Sequence, residues 1–509
     1  MTLARAWSVA LVGVQGHAVE IEADLNNGIP GLTMIGLPDA ALAESRDRIK
    51  AAILNSGEQW PNQRITLALS PASMPKRGSS FDVALAAAVL AANGALPGDA
   101  LVGRVLLGEL GLDGRVRGVP GVLPAVLSAT RFGFERFVVP VDNLAEARLV
   151  PGASVIGVAS LRSLVRVLRG EDDGDEPADR QQSAQAAPPA DLVDVAGQPE
   201  GRTAIEVAAA GGHHLFLLGP PGAGKTMLAE RLPGILPPLS LDEALEVTAI
   251  HSVAARLPTS EPLISTPPFQ DPHHNATVAA IVGGGSGIAK PGAACLAHRG
   301  VLFLDEAPQF ASAVLDALRQ PLEKGWVSIA RAAGTAVYPS RFSLVMAANP
   351  CPCARPDKGC TCPAEKRRRY MSRLSGPLLD RVDLRVSIPR VTRAEMLAED
   401  GRGEPSAAVA SRVAVARETA AQRYAGTPWR TNNDVPPTQL RRLWPISRTA
   451  TAKADEALDK GQITARGYGR ILRVAWTLAD LQGVGTPGAA QIGLALGYRT
   501  GFVTQTLAA

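Results

Sequence analysis

Eight residues, Gly219-Pro-Pro-Gly-Ala-Gly-Lys-Thr226, follow the apolar run His214-Leu-Phe-Leu-Leu218 and precede Met227-Leu-Ala-Glu-Arg-Leu232. The pattern is G-x-x-x-x-G-K-[ST] between a buried strand and a helix start, the setting in which such a loop cradles phosphates. Gly219, Gly222 and Gly224 let backbone N–H groups close around the phosphates, and the helix N-terminus adds partial positive charge. Lys225 is placed to reach the β- and γ-phosphates, and Thr226 to hold Mg2+. The ligand this chemistry implies is a nucleoside triphosphate.

Groups suited to its hydrolysis come later in the chain. Gly300-Val-Leu-Phe-Leu304 is a short continuous apolar run, as expected of a strand buried on both faces of a parallel sheet. It ends in Asp305-Glu306, at the carboxyl edge where ligands of such sheets bind. Asp305 suits the Mg2+ shell, and Glu306 suits the base that activates the attacking water. A third run, Phe342-Ser-Leu-Val-Met-Ala-Ala348, ends in Asn349, whose amide suits the γ-phosphate or the water. Ser375-Gly-Pro-Leu-Leu-Asp-Arg381 sets Arg381 on an expected exposed turn. From there an arginine enters a neighbouring subunit's site and stabilises the charge of phosphoryl transfer.

Four of the five cysteines cluster as Cys351-Pro-Cys353 and Cys360-Thr-Cys362. Without a signal sequence, two close pairs of thiols read as a tetrahedral Zn2+ site within residues 351–362 rather than as disulfides. The spacing is C-x-C rather than the commoner C-x2-C, and reduced free thiols are the alternative. The fifth, Cys295, sits among small apolar residues and reads as buried. The cluster runs into Lys366-Arg-Arg-Arg369, the densest basic run, either a solvated helix face or a surface for DNA or another subunit. His273-His274 gives no metal reading, since adjacent histidines point different ways and no third ligand is near.

The elements that hold these groups divide the chain. Its 509 residues suggest about three or four domains, and 46% hydrophobic with 20% charged residues is ordinary for a globular protein. No apolar stretch approaches the roughly 20 residues of a membrane span. The first residues, Met1-Thr-Leu-Ala-Arg-Ala-Trp7, carry no cleavage pattern, so the cytoplasm is the expected compartment. Only 4% of residues are aromatic, so base-stacking platforms are not evident. The net charge is +4; the stretch Glu171-Asp-Asp-Gly-Asp-Glu-Pro-Ala-Asp179 holds six acids and no base, leaving 52 basic against 42 acidic residues elsewhere. That balance permits a polyanionic partner. Residues 171–190 read as an acidic, disordered linker.

Before the linker, residues 1–170 alternate strand-like runs (18–24, 64–69, 137–140) with helical ones (40–54, 82–92), an α/β domain whose first helix starts at Asp39. After it, residues 191–393 hold the phosphate loop and the buried strands. Within them, Gly283-Gly-Gly-Ser-Gly287 reads as a mobile loop ahead of Lys290, and residues 325–338 as a hairpin around a Gly-containing turn. Residues 394–509 are helical, in runs 407–423, 449–458 and 466–481.

Together the phosphate loop, the Asp-Glu strand, the strand ending in Asn349 and Leu-Leu-Asp-Arg381 resemble the magnesium-chelatase-like AAA+ ATPases. Gly36-Leu-Pro-Asp-Ala40, Asp271-Pro-His-His274, Leu296-Ala-His-Arg-Gly-Val-Leu-Phe-Leu-Asp-Glu306, Asn349-Pro-Cys-Pro-Cys353 and Ser375-Gly-Pro-Leu-Leu-Asp-Arg381 resemble the ComM/YifB family over nearly the whole chain. The resemblance implies ATP as nucleotide, a hexameric ring, DNA as partner, and helicase or branch-migration activity in recombination and the integration of transforming DNA. It implies an α/β fold with an N-terminal Lon/ribosomal-S5-like domain, a P-loop AAA+ parallel-sheet core and a C-terminal helical lid. It places Asn349 as sensor 1 and Arg466 as the lid's contact to the γ-phosphate. It sets Lys290, on a helix-2 insertion, and Arg331, on the pre-sensor hairpin, against DNA in a central pore. Residues 76–82 and 108–116 resemble the Lon protease domain, with Ser80 near the nucleophile. Where its lysine is expected, the chain reads Gly121-Val-Leu-Pro-Ala-Val126, and Leu123 takes no proton. Proteolysis is therefore not expected. The remaining alternative is a chelatase-like motor that remodels a protein with a separate partner subunit.

Overall fold

Leu3–Val12 and Gln15–Asn26 form a long antiparallel hairpin, paired from Leu3↔Asp24 to Val12↔Gln15. Along the second strand, Val19, Ile21, Ala23 and Leu25 are buried while their neighbours are not, the period of a sheet with one face on a core. The computed structural model describes residues 3–36, 40–72, 74, 76, 78–177, 190–257, 262–285, 289–331, 334–353, 355, 360–397 and 403–501. In the first domain, seven strands lie in the order Gly31–Ile35, Arg64–Ser70, Gln15–Asn26, Leu3–Val12, Arg104–Leu106, Arg136–Pro140, Ser154–Val158. Helix Asp82–Ala92 is apolar all round after Asp82 and buried from Asp82 to Leu90, as a helix through the core must be. Its Asp82 is held by Arg48, Nε to Oδ2 2.8 Å.

The expected runs fall inside Gln15–Asn26, Arg64–Ser70, Arg136–Pro140, Ala40–Asn55 and Asp82–Ala92. The helix start expected at Asp39 lies outside the described residues. At the Lon-like site, helix Val122–Arg131 begins where a lysine would stand, and Leu123 is fully buried there. Its N–H donates to Glu146 Oε2 at 3.3 Å.

The acidic stretch does not start as a free linker. Asp175 N–H donates to Gly157 O at 2.8 Å, Ala159 N–H donates to Asp175 Oδ2 at 2.7 Å, and Arg148 pairs with Glu176. Unpaired edge groups next to the strand Ser154–Val158 thus fix residues that composition alone leaves unpacked. Residues 178–189 lie outside the described residues.

The second sheet has five parallel strands in the order Phe269–Gln270, Val301–Leu304, Ser343–Ala348, Leu215–Leu218, Leu384–Ser387. The pleat sends Leu215, Leu217, Phe303, Val345 and Val386 to one face, packed with helices Pro199–Gly211, Ser406–Arg423 and Ala465–Leu481. Phe216, Leu302, Leu304, Leu344 and Met346 face the other way, onto Val314 and Leu315 of helix Ser312–Ala317. The lid comprises Ser406–Arg423, Pro437–Leu443, Arg448–Asp459, Ala465–Leu481 and Ala489–Thr500. The expected hairpin is present as Trp326–Arg331 and Gly334–Pro339.

The glycine run expected to be a mobile loop is partly a ladder, Gly283↔Pro291 and Gly284↔Lys290. Gly283 has φ 108°, and a Cβ there would lie 2.6 Å from Lys290 O. Close backbone approach, not flexibility, requires that glycine. Residues 286–288 lie outside the described residues. Helix Leu241–Val253 joins the two units: Leu245 and Ala249 pack with Leu123 and Val126, and Ser252 Oγ donates to Glu146 Oε2 at 2.6 Å. Among the described residues no helix is long and apolar enough to cross a membrane.

Candidate nucleotide site

Gly219 leaves the strand Leu215–Leu218, and its N–H donates to Ala348 O at 3.1 Å, tying the loop to the neighbouring strand. A Cβ on Gly219 would lie 2.3 Å from Ile388 O. Gly222 (φ 73°) and Gly224 (φ 85°) take left-handed backbone. These are positions where glycine is required by space or by φ. Lys225 is buried, and its Nζ donates to Gly219 O (2.7 Å), Pro220 O (2.9 Å) and Asn349 Oδ1 (3.1 Å). Burial pushes the Lys225 ammonium below its ordinary pKa, against the opposing pull of Asp305 and Glu306.

Thr226 Oγ1 donates to Asp305 Oδ2 at 3.0 Å, and Glu306 N–H donates to Asp305 Oδ1 at 2.8 Å. A hydroxyl and a carboxylate in contact are the hard oxygen donors that suit Mg2+. Glu306 itself sits at φ 50°, a conformation that costs a non-glycine residue on the order of 1–3 kcal/mol and gathers at functional sites. Lys225, Thr226, Asp305, Glu306 and Asn349 are therefore brought to one edge of the sheet, the carboxyl ends of its strands.

Arg381 and Arg466 are not there. Both line a cavity with Gly212, His214, Gly300 and Ser343, the residues that open the strands. One strand of four residues separates the two edges by roughly 13 Å at ~3.3 Å per residue, further than an arginine side chain reaches. Arg381 also differs from its expected setting on an exposed turn. It is 8% exposed, ion-paired with Glu323, and its Nη1 donates to Pro377 O. Burial lowers its pKa, and Arg319, Arg466 and Arg470 lower it further. Arg466 is exposed in the first turn of helix Ala465–Leu481, so the contact expected from the lid to its own γ-phosphate is not made within one chain.

The lid is held by a buried set of charges. Arg470 donates to Asp383 Oδ1, and His214 N–H donates to Asp383 Oδ2 at 2.9 Å. Burial alone would raise the Asp383 carboxyl, but Arg470 with His213 and His214 outweighs it and holds it far below the usual carboxylate range. Burial pushes both imidazoles down to about 4. His213 Nε2 meets Thr477 Oγ1 of the lid at 2.7 Å.

Comparison with known proteins fits this geometry. Residues 21–143 match the model of subunit ChlI of Mg-chelatase, 191–396 that of magnesium chelatase, subunit ChlI, and 403–499 that of its C-terminal part. Competence protein ComM of Haemophilus influenzae is 39% identical over 505 residues, 98% of each chain. The chain belongs to the ComM/YifB family of magnesium-chelatase-like AAA+ ATPases. The YifB protein of Salmonella typhimurium, itself uncharacterized, is 40% identical over 95% of this chain and 94% of its own. An uncharacterized protein of Mycobacterium tuberculosis is 55% identical over 98% of this chain and 99% of its own.

In this family member the four clustered cysteines do converge. Their sulfurs all lie within 4.8 Å of one another, with Cys353 3.4 Å from Cys351 and 3.6 Å from Cys360, and Cys362 completing the set. Four thiolates about 2.3 Å from a tetrahedral Zn2+ stand roughly 3.8 Å apart, so the set fits that ion. Arg355 N–H and the Cys351 thiol lower Cys353 to about 7, easing the deprotonation that metal binding needs. Cys351 lies two residues beyond Asn349, so the cluster pins the loop that carries Asn349. Cys295 is buried as expected, which pushes its thiol up to about 12.

Lys290 and Arg331 are both exposed and close together. They share the rim of a cavity of about 280 Å³ with Ser80, Glu109 and Gly13 of the Lon-like domain, and Arg331 Nε donates to Gly285 O at 3.1 Å. Lys366, Arg367, Arg368 and Arg369 are exposed along helix Ala364–Met371. Two contacts escaped the sequence reading, the Asp383–Arg470 pair and His274 Nδ1 at 3.7 Å from Glu306 Oε2. The second had a signal: Gln270 pairs with Leu302, so four residues on from each are His274 and Glu306.

Proposed function

We propose that this chain is the subunit of a hexameric ring ATPase that moves along DNA, remodels branched junctions and serves homologous recombination, including integration of transforming DNA. The observation that carries the reading is the division of one catalytic set between two edges of one sheet. Lys225, Thr226, Asp305, Glu306 and Asn349 sit on one edge, Arg381 and Arg466 on the other. Two copies in head-to-tail contact bring the edges together, and such heterologous contacts close into rings.

Within that ring, Lys225 binds the β- and γ-phosphates of ATP, and Thr226 and Asp305 hold Mg2+, which neutralises charge on the phosphate oxygens. Glu306 takes the proton of the attacking water, and Asn349 fixes that water against the γ-phosphate. Arg381 and Arg466 of the neighbouring subunit stabilise the charge that spreads as the β–γ bond breaks, leaving ADP and phosphate. Lys290, Arg331 and the Lys366–Arg369 run supply phosphate contacts that carry no sequence preference. The name of the Haemophilus relative, a competence protein, supports DNA as the polymer.

The test is the ATPase rate without DNA and with single-stranded DNA, duplex and a four-way junction, across a salt series. Stimulation that fades with salt and is lost in Glu306→Gln is expected. A rate indifferent to every DNA overturns the reading in favour of a chelatase-like motor that remodels a protein with a separate subunit.

A further inference from the structure

The strand Leu3–Val12 is paired on one side only at its far end. Its ladder with Gln15–Asn26 runs through to Val12↔Gln15, while on the other side the parallel pairing with Arg104–Leu106 is Trp7↔Val105. Beyond Leu106 the chain is drawn away: Leu107 N–H donates to Val138 O and Gly108 N–H to Ser80 O, each at 3.0 Å. Among the described residues no strand therefore covers the outer edge of Val9–Val12. That edge opens into the cavity of about 280 Å³ between the two units, lined by Val9, Ala10, Leu11, Val12 and Gly13 in succession. Side chains of a strand alternate between faces, so consecutive residues reach one cavity only where the backbone edge itself is the wall.

A second backbone run, Gly118 to Val122, lines the same cavity. Asn143 pins it, accepting the Val119 N–H at 2.9 Å and donating to the Val119 carbonyl at 3.0 Å. Leu107, Val253 and Ala336 add apolar surface. The charged groups are Lys290 and Arg331, both exposed, and Glu109, which already accepts the Ser79 hydroxyl. Lys290 and Arg331 belong to the two small ladders of the ATPase unit, Gly284↔Lys290 and Arg331↔Gly334. The cavity is thus a slot with backbone along its walls, apolar side chains around them and positive charge at the rim. A compact apolar ligand would leave the edge of Val9–Val12 unpaired and cut off from water, a costly state for N–H and C=O groups. An extended chain pairs with it.

We propose that this slot docks an extended peptide of a partner protein, with apolar side chains and an acidic end, as an added strand on Val9–Val12. Main-chain hydrogen bonds to the edge hold the peptide, alternate side chains enter the apolar walls, and the acidic end meets Lys290 and Arg331. From Val9 to Gly13 the edge spans ~13 Å at ~3.3 Å per residue, enough for about four peptide residues. Ser80 lines the slot, but Leu123 stands where a base is needed, so the peptide is bound and not cut. The N-terminal domain then serves to bring a partner protein to the motor. Lys290 and Arg331 are also the DNA contacts proposed above, so peptide and DNA compete for them.

The experiment offers the full-length protein a pool of hexapeptides, four positions drawn from Val, Leu, Thr and Ala followed by Asp-Glu, and identifies the bound ones by mass spectrometry. An enriched peptide is then labelled with fluorescein and titrated by anisotropy. Affinity is expected to fall about tenfold or more in Ser80→Trp, which fills the slot, and in the double variant Lys290→Glu with Arg331→Glu. Both residues of that pair are exposed, so it keeps the test open should Ser80→Trp fail to fold. Methylating every second backbone nitrogen of the peptide spares its side chains, and in one of the two phases it should abolish binding, because a strand faces its partner with alternate N–H groups. No enriched peptide, both methylated forms binding as tightly as the parent peptide, or full affinity in the charge-reversed or folded Ser80→Trp protein overturns the inference. Sodium octanoate raising Tm where no peptide is enriched would assign the cavity to a compact carboxylate and overturn it too. Binding is read without DNA or nucleotide, so its failure leaves the motor reading standing.

Discussion

Replacing Asp383 by Asn removes one charge from the joint between the sheet and the lid and leaves its shape. The carboxylate is fully buried and the Arg470 side chain is 17% exposed, so this is a largely buried pair. Removing one partner of such a pair costs ~3–5 kcal/mol, mostly for the charge left behind. Because Arg470 keeps some access to water, and the new amide oxygen still accepts the His214 N–H, the low end applies. A loss of ~3 kcal/mol lowers Tm by about 6–12 °C for a unit of this size. Tryptophan fluorescence reports in part on the lid, since Trp429, Trp444 and Trp476 lie in it while Trp7, Trp60 and Trp326 do not, and Trp476 stacks 4.2 Å from the Arg423 guanidinium. The pH dependence has a definite sign. A carboxyl held below its unfolded value of about 3.9 contributes its full stability above that value and loses it as pH falls through the folded value. The gap between parent and Asp383→Asn is therefore full at pH 7.5 and narrows below about pH 4. His213 and His214, lowered to about 4 by burial, weaken both proteins together below about pH 6.5. A Tm shift under about 2 °C at pH 7.5 would refute the assignment of this pair as the lid's anchor.

The remaining predictions concern the site itself. Gly219→Ala forces a Cβ against Ile388 O, 2.3 Å away, which pushes the phosphate loop off the strand Leu384–Ser387. Overpacking of this kind costs ~1–3 kcal/mol, and titration of a fluorescent ATP analogue should show affinity down about tenfold. Elemental analysis of the purified protein should find about one zinc per chain, lost in Cys353→Ser, with kcat falling as the loop carrying Asn349 loosens. A zinc content unchanged by that substitution would remove the cysteines from the account.

What the sequence disclosed was whatever is encoded locally. The phosphate loop, the strand into Asp305 and Glu306, and the strand into Asn349 each carry motif and element in one short window, and the structure joins them as expected. The strand Leu3–Val12 was missed because its polar residues, Arg5 and Ser8, break the alternation, and its pairing partner makes it a strand. Helix Ala489–Thr500 was missed because Gly493 and Gly497 weaken its propensity, while packing against Ala465–Leu481 supplies the stability. The end of the sheet reached by Arg466 was not legible, since it depends on how the lid docks, whereas Arg381 precedes the parallel strand Leu384–Ser387 by three residues and so belongs to its amino end. The His274 contact was half legible, because it needs the two-residue strand Phe269–Gln270, too short to show a period.

The central claim is that each site is shared between two copies, and mixing two inactive variants tests it most directly. Lys225→Ala lacks the phosphate-binding edge and Arg381→Ala lacks the opposite edge, so each alone should hydrolyse almost no ATP. In randomly mixed rings about one interface in four pairs an intact loop with an intact arginine, and a corresponding fraction of the parent rate should return. No recovery at any mixing ratio, in rings shown to exchange subunits, would contradict the account and return Arg381 to a purely structural role.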